Sequence, residues 1–245
     1  MDHLAYQAVS RQLFADMVTG PEERVDLGRA ALLMAGEAYP GLDILRYVAR
    51  LEAMAAAVRP RLADAEHVRT KVAHLNTYLF EEQGFQGNAN EYYDPRNSFL
   101  NEVLDRKLGI PITLSVVYME VGRRLGLTLQ GVGMPGHFLV KHTGPAGYIY
   151  LDPFNRGRIL SRQACEELFQ QFYGEQAPFQ GTFLAPVTKK QVLARLLSNL
   201  KAIYLQTKDY LKALAVVERL LLLQPTSEQD TKDRAVLRNL VGMLN

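Results

Sequence analysis

Between Pro111 and the pair Arg123-Arg124 the chain carries a helix-forming segment that cannot face water on any side, because Ser115-Val116-Val117-Tyr118-Met119 is apolar almost all the way round. A helix with no polar face has to be wrapped by other elements. Ahead of it lie a turn at Tyr93-Asp94-Pro95-Arg96, a short helix from Ser98 and the tripeptide Gly109-Ile110-Pro111. Behind it come three strand-like runs, 129–134, 137–142 and 148–152, separated by glycine and proline. A helix over 161–173 and a Gly/Pro-rich linker to Pro186 complete an expected α+β core over residues 93–186.

Both flanks read as helical. In residues 1–92 the apolar run 30–35 ends near Tyr39-Pro40-Gly41. Leu45, Val48, Leu51, Met54 and Ala55 recur at helical spacing and stop near Arg59-Pro60. Val68, Val72, Leu75 and Leu79 form a third stripe that breaks at Gln83-Gly84. Residues 187–245 read as helix–turn–helix, with Leu197, Leu200 and Tyr204 on one helix, Ala213, Val217 and Leu220 on the next, and Pro225 closing the unit. Counted back from Pro225, these residues fall on the large, small and aromatic positions of a tetratricopeptide-type repeat of about 34 residues. Lys201 stands where that repeat prefers a small residue. Residues 233–244, with Leu237, Leu240 and Leu244, match the first helix of another repeat. Its apolar face is then left for the core or a second chain to cover, unless the sequence is cut short there, so residues 226–245 are a candidate oligomerisation segment.

Composition excludes several classes. Lys+Arg 28 against Asp+Glu 26 gives a net charge of +2, without the single-sign field that nucleic acid or a membrane surface requires. Arg156, Arg158 and Arg162, the densest basic run, read as a solvated loop. Cys165 is the single cysteine, which rules out an intrachain disulfide and a four-cysteine zinc site. The start, Met1-Asp2-His3-Leu4-Ala5-Tyr6, lacks the basic and then apolar pattern of a secretory signal. The longest apolar runs, such as 220–223, fall far short of the ~20 residues that span a bilayer. The cytoplasm is the expected compartment.

Three motifs are weaker than they look. Gly131-Val132-Gly133-Met134-Pro135-Gly136 spells GxGxxG, but a β-type run follows where a dinucleotide site needs a helix N-terminus. His67 and His74 share a helix face without an acidic partner at ligand spacing. His137 and His142, five apart on one predicted strand, point to opposite faces. No metal or cofactor is expected. His137 and Asp152 carry more. A hairpin closed at Gly144-Pro145-Ala146-Gly147, with a type I turn, sets Leu139 opposite Asp152 and makes His137 its same-face diagonal neighbour. A histidine oriented by an aspartate is the base half of a catalytic triad; a buried pair that only holds the fold has the same spacing.

Asn97-Ser98-Phe99-Leu100-Asn101, Gly109-Ile110-Pro111-Ile112-Thr113-Leu114-Ser115, Pro135-Gly136-His137-Phe138-Leu139 and Tyr150-Leu151-Asp152-Pro153-Phe154 together resemble the SirB-type family, bacterial proteins that join a transglutaminase-like core to tetratricopeptide repeats. Related domains occur in some animal F-box proteins. The resemblance covers nearly the whole chain. It implies a papain/transglutaminase-like fold, with a buried helix on an antiparallel sheet and the histidine and aspartate on adjacent strands. Active members of that superfamily place a cysteine at the start of the buried helix, where the helix dipole and an imidazolium favour thiolate. This chain has none there, and Cys165 falls after Asp152, at the wrong end of the motif order. Thr113 and Ser115 are the hydroxyls nearest that place, either as replacement nucleophiles or as helix-start and packing residues. Asn97 and Asn101 either orient a group in the same cleft or bond loop backbone. The chain therefore reads as a non-catalytic scaffold that offers its helical tail to a protein or peptide. The alternative is a cryptic hydrolase or acyl transferase using His137 and Asp152 with Ser115, Thr113 or a water.

Overall fold

The computed structural model of the chain describes residues 3–63, 65–145 and 147–243. Met1, Asp2, Ala146 and Leu244, on which parts of the sequence reading rest, lie outside them. Four helices come first, α1 (His3–Thr19), α2 (Leu27–Ala38), α3 (Ile44–Val58) and α4 (Val68–Asn76), the last running on into a π-type turn over Thr77–Glu82. The carboxylates of Asp26 and Asp43 accept the N–H groups of Arg29 and Arg46, which fixes where α2 and α3 begin. A two-residue strand, β1 (Gln86–Gly87), follows, and then α5 (Leu100–Arg106) and β2 (Leu108–Gly109), which pairs in parallel with β1. This parallel pair was absent from the sequence reading, because two residues are too few to show a period.

The apolar segment forms α6 (Pro111–Arg124), and its residues 111–122 are all buried. Helices α2, α3, α5 and α8 pack around it, together with β3 and β4 of the main sheet. The fit is close at Gly122, where a Cβ would collide with Leu129. Glu120, 3% exposed, is kept inside by Arg124 at 2.6 Å and Arg123 at 3.3 Å; burial of a carboxylate requires such partners.

The main sheet runs in the order β3 (Leu129–Val132), β4 (Leu139–Gly144), β5 (Gly147–Asp152), β6 (Arg158–Leu160), antiparallel throughout. Its central hairpin has the expected register, from Gly144↔Gly147 to Val140↔Leu151. Two expectations need correction. β4 starts at Leu139, so His137 sits in the preceding turn, its N–H donating to Met134 O at 3.1 Å. Neither the alternation that sent it to the face opposite His142 nor the same-face diagonal that set it beside Asp152 applies, because both require His137 within β4. The arginine run is not one loop either. Arg158 belongs to β6 and pairs with Asp152, while Arg162 opens α7 (Arg162–Tyr173). Three residues between a turn and a helix cap were too short to read as a strand.

Alternate residues of the sheet serve two cores. Val140 and Leu151 join the main cluster, which reaches from Phe14 to Leu237. Val132, Leu139, Tyr150 and Leu160 pack instead with Cys165 and Phe169 of α7 and with Leu184. The last three helices are α8 (Lys189–Gln206), α9 (Tyr210–Leu223) and α10 (Glu228–Gly242). α9 packs on α8 and α10 on α9, and α9 also packs on α1. Lys201 pairs with Asp230 at 2.7 Å and with Asp233, tying α8 to α10. That is why a long cation is accommodated where a small residue was expected. α10 buries Leu237 but leaves Val236 exposed, and Met243, just past its end, is exposed too. None of the helices among the described residues is long and apolar enough to cross a membrane.

Ala213 on α9 is fully buried in the main cluster. Ala213→Trp is expected to overpack it and cost about 1–3 kcal/mol. The measurement is a lowered urea midpoint at unchanged m-value.

Candidate functional site

The start of α6 organises the site. Pro111 suits the first helical turn because it has no N–H to leave unbonded. Thr113 closes that turn: its Oγ1 accepts the Ile110 N–H at 3.0 Å and donates to the Asn97 carbonyl at 2.8 Å. Asn97, fully buried, holds the loop ahead of it. Its Nδ2 donates to the carbonyls of Glu91 and Tyr92 at 2.6 and 3.3 Å, and its Oδ1 accepts from Asn88 at 3.1 Å. Asn101, on α5, is buried with its Oδ1 unpartnered among the described residues. Ser115 is fully buried inside α6, and its Oγ has no partner among them.

His137 and Asp152 meet directly. His137 Nε2 lies 3.0 Å from Asp152 Oδ1, and the residues are 4% and 1% exposed. Oδ1 also accepts the N–H groups of Phe154 and Asn155 at 3.1 and 3.3 Å, while Oδ2 accepts from Asn155 Nδ2 at 2.7 Å. Burial works to raise the Asp152 pKa, but the hydrogen bond and charge of His137 and the bonds from Asn155 outweigh it and hold the pKa below the usual carboxylate value. An ionised carboxylate only accepts, so Nε2 carries a proton towards Asp152. The ring is clamped by Phe172, stacked at 6.1 Å, and by Phe154, edge-on at 5.9 Å.

A cavity of about 20 Å³ separates the start of α6 from this ring. Tyr92, Pro111, Ile112, His137, Phe138, Arg195 and Asn199 line it. Arg195, from α8, donates to the carbonyls of Met134 and His137 at 3.2 and 3.0 Å. The fold therefore brings His137, Asp152 and the α6 start together. Thr113 is occupied by its capping bonds, and neither its hydroxyl nor that of Ser115 bonds the imidazole. Asn97 serves the loop backbone. The sequence reading missed Tyr92, in a turn, and Arg195 and Asn199, because nothing in a helical repeat pattern marks a residue that reaches back to the turn before β4. Asn155 was legible in principle, since an Asp three residues earlier with a proline between favours a local side-chain turn.

The other candidate residues lie elsewhere. Cys165 is fully buried on α7. Burial first, and the nearby Asp152 charge second, push its thiol up to about 12, the reverse of what a nucleophilic thiolate needs. Cys165→Ala is expected to leave fold and binding unchanged, and the native thiol should resist iodoacetamide at neutral pH until the protein unfolds. Gly131 lies in β3 and Gly136 in the turn leading to β4, not at a helix start. Among the described residues no group of three His, Cys, Asp or Glu side chains is placed to hold a metal.

Known proteins are similar to the chain along most of its length. The family model described as the transglutaminase-like superfamily matches residues 45–198. A UPF0162 protein of Xylella fastidiosa is 37% identical over 227 residues, covering 91% of this chain and 81% of that one. A UPF0162 protein of Vibrio cholerae is 30% identical over 175 residues, 70% of this chain and 64% of the relative. F-box only protein 21 of Mus musculus is 37% identical over 134 residues, 51% of this chain and 20% of that protein. No solved structure matches.

Proposed function

From the premise that the chain belongs to the transglutaminase-like superfamily, we propose that it has kept the fold and lost the chemistry, and acts as a non-catalytic protein-interaction scaffold of the SirB type. One observation carries this reading: the α6 start that faces the His137–Asp152 pair presents Pro111 and Ile112, with no thiol or free hydroxyl between helix and imidazole. A base without a nucleophile does not support acyl transfer. In this reading residues 1–92 are a helical region packed on the core, 93–186 the core, and 187–245 a tetratricopeptide-type tail in a cytoplasmic protein. The tail receives a protein or peptide. A cavity of about 610 Å³ between the N-terminal helices and α8–α9, lined by Gln7, Arg11, Tyr204, Leu211 and Leu214 among others, supports that role, as does Leu211 at 64% exposure. The exposed Val236 and Met243 support oligomerisation through residues 226–245.

The intact pair favours a second reading. A cavity of about 20 Å³ has room for about one water, so a cryptic hydrolase or acyl transferase would use His137 and Asp152 with that water, or with Ser115 or Thr113 after rearrangement. Two assays on the full chain separate the readings. A scaffold shows no fluorophosphonate labelling of serine or threonine and no amide turnover, and a captured partner is lost with Leu211→Glu. Turnover that His137→Ala abolishes in a folded protein establishes the enzyme instead.

A further inference from the structure

The charges around the small cavity are unbalanced. Arg195 has no carboxylate partner among the described residues; its bonds go to neutral carbonyls. Asp152 lies behind the imidazole with both oxygens already bonded. His137 is 96% buried by its 4% exposure, lines the cavity, and its Nδ1 makes no hydrogen bond among the described residues. Ile112, at the second position of α6, has an N–H with no carbonyl one turn back. The start of α6, Arg195 without a carboxylate partner, His137 and Asn199 line one space. The helix end and the guanidinium favour an anion.

Tyr92 lines this space with Tyr93 packed on it, and Phe172 stacks on the His137 ring beside it. Tyr92, Tyr93, Phe172 and Tyr173 are 39%, 70%, 54% and 53% exposed. Gly136, at φ +76, lies directly under Phe172 and Tyr173. About 20 Å³ admits an oxygen or two and no more. A ligand suited to both parts has a carboxylate and a bulky apolar group on the same carbon, as the last residue of a peptide does.

We propose that the cleft between the α6 start and His137 binds the C-terminal carboxylate of a partner peptide, with the terminal side chain packed on Tyr92, Phe172 and Tyr173. The inference deepens the scaffold reading and rests on it for the claim that the ligand is held rather than converted. Nε2 faces Asp152, so Nδ1 is the ring atom that meets the carboxylate, as an N–H donor. The titratable and charged groups around the ring are Asp152 behind it, Arg195 across the cavity, and the Tyr92 and Tyr173 phenols. Cys165, beyond Asp152, is buried.

The test is calorimetric titration of the full chain with N-acetylphenylalanine, N-acetylphenylalanine amide and acetate. The acid is expected to bind at least tenfold more tightly than either other probe. Arg195→Gln should lower the affinity for the acid at least tenfold. Asn199→Leu, at a partly exposed rim position, should weaken it several-fold and serves where the arginine variant does not fold. Equal affinity for acid and amide, or no response to either substitution, overturns the proposal. Equal affinity for acetate and the acid also overturns it, by leaving an adventitious anion site only. Conversion of the amide to the acid during titration sinks the non-catalytic reading and leaves the carboxylate site standing.

Discussion

Asp152→Asn is expected to cost about 3–5 kcal/mol of stability, more than any other single change at the candidate site. The reason is the number of donors aimed at one carboxylate. Oδ1 takes His137 Nε2 and the N–H groups of Phe154 and Asn155, and Oδ2 takes Asn155 Nδ2 at 2.7 Å. An amide can keep the oxygen contacts, but its NH₂ then faces the Asn155 NH₂, donor against donor, in a place where Asp152 is 1% exposed. A chain of this length loses about 2–4 °C of melting temperature for each kcal/mol, so thermal unfolding reads the effect easily. The pH dependence has a definite sign. The folded pKa of Asp152 is depressed, through His137 and Asn155 against the opposing effect of burial. Its contribution to stability is therefore complete above the unfolded carboxylate value, about 3.9, and is lost as pH falls through the lower folded value. The wild type should lose stability below about pH 4 with a component that Asp152→Asn lacks. Equal acid sensitivity of the two proteins would mean that the carboxylate is not the bonded species.

That pair was also the most legible part of the site. Alternating apolar residues and a Gly144–Gly147 closure fix a hairpin register with little freedom, because a slip by one residue turns every side chain to the other face. The all-apolar α6 was legible for a similar reason, since a helix without a polar face has only one kind of place to go. What sequence could not supply was contact between distant elements. Arg195 reads as an ordinary polar position on a tail helix, yet it reaches the carbonyls of Met134 and His137. Thr113 and Ser115 are alike as hydroxyls near a helix start, but a difference of two residues on a helix sends one to the cap and the other into the core. β1, β2 and β6 are too short to show a period, so only the partner strand reveals them.

The same limit applies to the joint between the N-terminal helices and the tail, where the second large effect is expected. Glu37 closes α2 and pairs with two arginines: Arg11 of α1 at 2.5 Å and Arg219 of α9. Arg219 is 3% exposed, with its guanidinium over the Phe14 ring. Taking a guanidinium out of water is costly, and the carboxylate beside it offsets that cost. Glu37→Ala is therefore expected to lose about 3–5 kcal/mol, since it leaves Arg219 buried without its counter-charge. Arg11 cannot compensate, being a cation itself, and Glu218 already pairs with Arg11 and Arg238. The double substitution Glu37→Met with Arg219→Leu removes both charges and keeps the volume, so it should fall within about 1 kcal/mol of the wild type or exceed it. Urea unfolding of the wild type, Glu37→Met, Arg219→Leu and the double variant gives the coupling directly. If the double variant loses as much as Glu37→Ala, the joint is held by the shape of these side chains rather than by charge. If Glu37→Ala alone is harmless, water reaches Arg219 and the tail is docked more loosely on α1 and α2 than its burial implies.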